Sequence, residues 1–349
     1  MRKDFLKEDL DYISQYPLPY NLLKGSTVLI TGATGFIGHL LVKSLINIGN
    51  INVIAFVRNI EKVKKIYSAT EIKKINFFIG DIIEPILIKE NIDYIFHCAS
   101  ITTSKFMLEK PVETLLTSVE GTKNIMNLAK QKKCKSVIYI SSMEMYGKFN
   151  QQNIEVNEKI IGYIDPLQVR SNYPESKRLC ENMCIAYWSE YKVPVKIARL
   201  AQTFGAGILK EENRIFAQFA RSIIESKDII LHTKGLSEGN YCYSRDCITG
   251  LFTILLKGKE GEAYNVVNPR SHTTIIEMAQ MIVKKISLDK IKIVYDIPEN
   301  NIYGYATDTK LKLNADKLQA LGWEPKIDLE ESYIRMIEQL KLDIKEFER

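Results

Sequence analysis

The chain has 349 residues, 46% hydrophobic and 26% charged, with 18 glycines and 10 prolines. That mixture suits a folded chain with a large core and excludes a mainly disordered, fibrous or low-complexity one. The net charge of +6 is a mild excess held in short clusters, such as Lys62, Lys64 and Lys65 or Lys130, Lys132, Lys133 and Lys135. These read as solvated faces, so no nucleic-acid partner is expected.

In chain order, the first 25 residues predict a short amphipathic helix (Phe5, Leu6, Leu10, Ile13), then a Pro17/Pro19 turn. They are expected to form an extension packed on the domain edge. The run 26–31 is apolar and ends in glycines, which predicts a buried strand. Residues 36–48 have helical periodicity, and 52–57, 76–79 and 94–98 read as strands. A helix over about 111–131 carries Pro at its first turn. Strand 136–140, helix 174–191 and strand 195–200 complete a βαβα alternation. Such alternation predicts a doubly wound α/β fold with a mostly parallel sheet. Beyond about 201 the pattern loosens. Helices at 214–226, 275–286 and 329–341 and short strands near 229–231, 241–243 and 263–267 predict a smaller C-terminal α/β lobe. Some of its strands are expected to return to the first domain.

The six cysteines (98, 134, 180, 184, 242, 247) form no CxxC pair, and no histidine stands at zinc spacing. Reduced thiols, no metal centre and a cytoplasmic location are expected. The charged start is unlike a signal peptide, and no run of about 18 apolar residues predicts a membrane span.

Gly32, Gly35 and Gly38 directly follow a predicted strand and open a predicted helix. In that context they fit a dinucleotide pyrophosphate: a tight turn, a close backbone approach, and a helix packed hard on the strand. The second strand ends Val57-Arg58-Asn59, with no acid for a ribose diol. Arg58 fits a 2′-phosphate and favours NADP over NAD; otherwise it is surface charge or stacks on adenine. Asp81, after the third strand, either accepts from the adenine amino group or caps the next turn.

Tyr173 and Lys177 are four apart, on one helix face. An ammonium and an oxidised nicotinamide both favour the phenolate. That base can take a sugar hydroxyl's proton while hydride leaves the same carbon. Lys177 also reaches the nicotinamide ribose. Ser142 ends a strand at the ligand edge of such a sheet and can bond the substrate oxygen. Tyr241 and Tyr243 alternate on a short strand and either floor the sugar or base site or pack the lobe.

Together, TGATGFIG (31–38), GD (80–81), HCAS (97–100), SVEGTKNI (118–125), ISSMEMYG (140–147), YPESK (173–177), ARLAQTFGAG (198–207) and LGWEPKIDLEES (321–332) resemble a known group. It is the extended short-chain dehydrogenase/reductases of the NAD-dependent epimerase/dehydratase (sugar-nucleotide) family. The resemblance implies a Rossmann-type NAD(P) domain, a substrate lobe, a nucleoside-diphosphate sugar between them, and a homodimer through helices 111–131 and 174–191. It assigns Ser142, Tyr173 and Lys177 to catalysis, with Glu144 a candidate acid/base beside the sugar. It gives the cofactor Thr34, Phe36, Ile37, Ile82, Ala99, Ser100 and Ser118, the last standing where the family often has Asn. Departures fall on the substrate side. Met143 replaces the Asp of the dehydratases' Thr-Asp-Glu, and Gln202 replaces the usual Asn. Gly239-Asn240-Tyr241 replaces Arg-Asp-aromatic, so Arg214 or Arg245 is left to hold the diphosphate.

Overall fold

The computed structural model describes residues 3–149, 154–299 and 309–347. Helix α1 (Phe5–Gln15) is capped by Asp4, whose side chain accepts from the Lys7 amide. Next come β1 (Thr27–Thr31), α2 (Phe36–Ile48) and β2 (Asn52–Val57). Two short helices follow, α3 (Ile60–Ile66) and α4 (Ala69–Ile72), then β3 (Ile75–Ile79) and β4 (Tyr94–His97). The short α5 (Ser104–Glu109) leads into α6 (Pro111–Lys132), whose Pro111 needs no amide partner at the first turn. The chain then runs through β5 (Ser136–Ser142), a 3₁₀ turn at Met143–Tyr146, β6 (Glu155–Val156) and a second 3₁₀ turn at Val169–Ser171. Helix α7 (Asn172–Tyr191) and β7 (Val195–Leu200) end this half.

The later elements are β8 (Gln202–Phe204), α8 (Ile215–Glu225), β9 (Ile229–Leu231), β10 (Glu238–Gly239) and β11 (Tyr241–Tyr243). They continue with α9 (Ser244–Lys257) and β12 (Ala263–Val266). After these come β13 (Thr273–Thr274), α10 (Ile275–Met281), β14 (Ile293–Tyr295), β15 (Lys312–Leu313), α11 (Asp316–Gln319) and α12 (Leu329–Phe347).

A seven-stranded parallel sheet in the order β12-β7-β5-β4-β1-β2-β3 forms the centre. Its inner strands are buried along nearly their whole length because helices cover both faces; in β5, Ser136 to Ser141 are all buried. The order reverses beside β1, and at such a switch point the strand ends leave a crevice for ligands. Strand β12 pairs with β7 from Ala263↔Ile197 to Val266↔Leu200, so a strand from the second half of the chain closes one edge.

Helix α9 has no counterpart among the predicted elements. It is buried on all sides from Ser244 to Leu255. A helix enclosed by protein carries no apolar stripe for periodicity to detect. Helix α12 also runs past its predicted end, to Phe347. No helix among the described residues is long and apolar enough to cross a membrane.

Candidate active site

The turn after β1 is shaped by its glycines. Gly32 has φ +64°, and a Cβ there would lie 2.9 Å from the Ala99 nitrogen. The Gly35 amide closes the turn on the Gly32 carbonyl at 2.8 Å. A Cβ on Gly38 would meet that same carbonyl oxygen at 2.2 Å. Gly35 caps α2 without a side chain, which leaves the positive helix end open to an anion. Thr34 and Ile37 are half-buried beside it, and Phe36 is buried.

One directional chain of hydrogen bonds ties this turn to the end of β4. The Ala99 amide donates to Thr31 Oγ1 (3.1 Å), and Thr31 meets His97 Nδ1 (2.8 Å). His97 Nε2 meets Thr122 Oγ1 (3.3 Å), which donates to the Ser118 carbonyl (2.7 Å). With Thr122's proton spent, His97 carries its own on Nε2. Burial pushes that imidazole down to about 3, so it stays neutral. Ser118's own hydroxyl is turned back to the Thr114 carbonyl. Ser100 Oγ is buried without a hydrogen-bond partner. An orphaned hydroxyl, a backbone cradle that any Cβ would fill and an uncapped helix start together fit a dinucleotide.

The ends of β2 and β3 carry the residues that the sequence reading assigns to the adenosine. Arg58 is exposed, and Phe56 and Phe78 stack with centroids 5.4 Å apart. Ile82 is buried against Gly121. Asp81 accepts from the Ile83 amide at 3.3 Å, so it caps the turn it opens.

Ser142, Glu144, Tyr173, Lys177 and Arg214 come together at the end of β5. Tyr173 and Lys177 are 6% and 4% exposed. The Lys177 ammonium donates to the Ile140 carbonyl at 2.9 Å and lies 5.6 Å from the Tyr173 ring centroid. Burial lowers the Lys177 pKa. The Tyr173 phenol is raised, first by burial and then by the Glu144 charge, against a Ser142 hydrogen bond and the charges of Arg214 and Arg170. The protein alone therefore holds the phenol protonated, and a cationic ring would have to shift it. Ser142 Oγ also accepts from the Glu144 amide (3.2 Å).

A buried network fixes these elements. Ser141 donates to Glu181 (2.6 Å), one helical turn beyond Lys177, and Arg199 binds both Glu181 oxygens. Arg199 Nη1 also reaches Tyr146 Oη (3.0 Å), which donates to Asn265 on β12 (2.6 Å). Breaking one side of such a buried pair costs about 3–5 kcal/mol.

On the lobe side, Arg214 forks onto Glu212 at 2.9 and 2.6 Å. Met143 is half-buried, with its methyl 3.9 Å from where a Gly239 Cβ would stand, so this wall is apolar. Gln202 is half-buried on β8, in register with Tyr241. Tyr241 lies buried edge-on to Phe204, and Tyr243 bonds Asp9 of α1 at 2.6 Å; both pack the lobe.

Arg245 does not reach the site. It is 6% exposed, stacks on Tyr12 at 3.9 Å and pairs with Asp9 and Asp246. The extension helix has taken the cation that the sequence left for a diphosphate.

Arg170 was missed by sequence reasoning. It stands three residues before Tyr173, in the turn that leads into α7, and a cation so near the Tyr173–Lys177 pair was the available signal.

The chain belongs to the NAD dependent epimerase/dehydratase family, whose model matches residues 28–267. UDP-glucuronic acid decarboxylase 5 of Arabidopsis thaliana is 30% identical over 322 residues, 90% of this chain and 89% of that protein. The dTDP-D-glucose 4,6-dehydratase of Mus musculus is 26% identical over 333 residues, 89% of this chain and 87% of that protein. A Bacillus cereus UDP-glucuronic acid 4-epimerase, solved with UDP-glucuronic acid and NAD, shares the fold. Its TM-score is 0.75 at 21% identity, covering 90% of this chain and 99% of that one.

Proposed function

We propose that this chain is an NAD(P)-dependent enzyme that remodels the sugar of a nucleoside-diphosphate sugar through a keto intermediate. The observation that carries the reading is the buried Tyr173 phenol between Ser142 and Lys177, at the sheet edge that also holds the glycine turn. The family, and relatives named for UDP- and dTDP-sugars, support it.

Ser142 holds the reacting sugar oxygen. Tyr173, once ionised, takes the hydroxyl proton, and that oxygen's lone pair forms the carbonyl. Bound NAD(P) supplies the hydride acceptor and, later, the donor. Lys177 stays beside the phenol, and Glu144 faces the sugar as the second acid/base. Arg214 is the cation available to the diphosphate, displacing Glu212. Arg58, with no acid at the end of β2, supports NADP over NAD. Closing the cycle by epimerisation or elimination needs no external reductant. Decarboxylation is the second reading, supported by the decarboxylase relatives and by the Ser142-x-Glu144 spacing, which also resembles one branch of the mannose dehydratases; the Thr-Asp-Glu route of the hexose 4,6-dehydratases has only apolar Met143 at its missing acid. Reduced cysteines support a cytoplasmic site.

Tyr173→Phe tests the reading. Turnover of nucleotide sugars falls about 10²–10⁴-fold while the cofactor still binds. A variant that keeps wild-type turnover sinks it. Product without net change in NAD(P)H absorbance marks the redox-neutral cycle; steady loss of NADPH marks a reductase instead.

A further inference from the structure

Arg170 lies outside the sequence segments that carry the family resemblance, yet it borders both acid/base groups of the proposed function. The 3₁₀ turn Val169–Ser171 presents it at the entrance to α7. Its Nη2 donates to both carboxylate oxygens of Glu144, at 2.9 and 3.3 Å. Its guanidinium lies 5.9 Å from the Tyr173 ring centroid. The two charged side chains are 25% and 33% exposed, so both are half-buried.

The turn that carries Arg170 is pinned. Asn172 donates to the carbonyls of Val169 and Met107, both at 2.7 Å. Ser171 donates to the Asp165 carbonyl at 2.6 Å. Arg170 is thus held against Glu144 by backbone that cannot easily swing away.

The groups facing Tyr173 come from every neighbouring element. Ser142 and Glu144 come from β5 and the turn after it, Arg170 from the turn before α7, Lys177 from α7 and Arg214 from the lobe. Without a sugar nucleotide, Lys177 donates to the Ile140 carbonyl and Arg214 is paired with Glu212. Glu144 alone would oppose ionisation of a phenol that burial already keeps protonated. A cation in contact with that carboxylate cancels its field at the ring.

We propose that Arg170 is a positioning residue for the proposed sugar oxidation: it fixes Glu144 beside the sugar and neutralises it toward Tyr173, so that the phenol can lose its proton. This rests on Tyr173 being the base of the proposed function.

The test follows phenolate absorbance against pH with NAD+ or NADP+ bound and no sugar. Each protein is compared with its own Tyr173→Phe counterpart, which isolates the one phenol. Arg170→Gln moves the Tyr173 step up by about one pH unit, a tenfold loss of phenolate below it. Glu144→Gln moves the step down. The double variant returns near the wild-type position, because the pair and its neutral replacement carry the same net charge. Arg170→Lys, which keeps the charge, holds the step. A wild-type step that Arg170→Gln leaves in place overturns the proposal and spares the phenol-base reading. A wild type with no Tyr173-dependent step overturns both.

Discussion

Gly38 leaves no room for choice: any side chain there would drive into the Gly32 carbonyl. Backbone contacts of this kind are legible in sequence because only glycine permits them. Charged residues are different, since the same arginine serves a ligand, a partner or the solvent. Arg58 is exposed at the end of β2, free of the packing that claims Arg245. If it binds a 2′-phosphate, Arg58→Ala weakens NADP about tenfold and leaves NAD unchanged, the size of one charge-assisted hydrogen bond. Fluorescence titration with both cofactors decides it, and an equal loss for the two removes the assignment.

At the scale of elements, α1 is an anchored part of the fold. Asp9 is 3% exposed and accepts from Tyr243 (2.6 Å) and Arg335 (3.1 Å), joining α1 to β11 and α12. Burial raises its carboxyl to about 6 against the pull of Tyr243, Arg245 and Arg335. A raised folded-state value means that the folded chain binds the proton more tightly than the unfolded one. The resulting stability is complete below about pH 4 and is lost as pH rises through about 6. Thermal melts of Asp9→Asn against wild type read this directly. The wild-type advantage is larger at pH 5 than at pH 8, and a difference that grows with pH contradicts the burial argument. Sequence periodicity found α1 but was blind to what it docks on, since Asp9 and Arg335 are 326 residues apart.

For the whole molecule, the open question is what covers α5 to α7. Leu108, Val112, Leu115, Leu116 and Leu179 are exposed on these helices. Large apolar side chains gathered on neighbouring helices mark an interaction surface. The family resemblance implies that a second copy of the chain covers them. Sedimentation of the wild type then gives a dimer, and Leu116→Glu shifts it toward monomer at micromolar concentration. A monomeric wild type with unchanged activity ends the idea.

The alternation of strands and helices, the glycine turn and the Tyr173–Lys177 pair could be read from the sequence because each shows in residues close to one another in the chain, whereas the order of strands in the sheet is set by pairing between distant segments. Local spacing also placed Ser142 at the end of its strand. Four features lay beyond local spacing. Helix α9 is wrapped by protein on all sides and shows no stripe. Arg245 was drawn to Asp9 from the far end of the chain. Arg170 gained its meaning by meeting Glu144 across 26 residues. The Tyr173 phenol is held protonated by burial, which no spacing records. Sequence spacing fixes which groups share a face, but the partner of a charge and the depth of its burial are set only when distant segments pack.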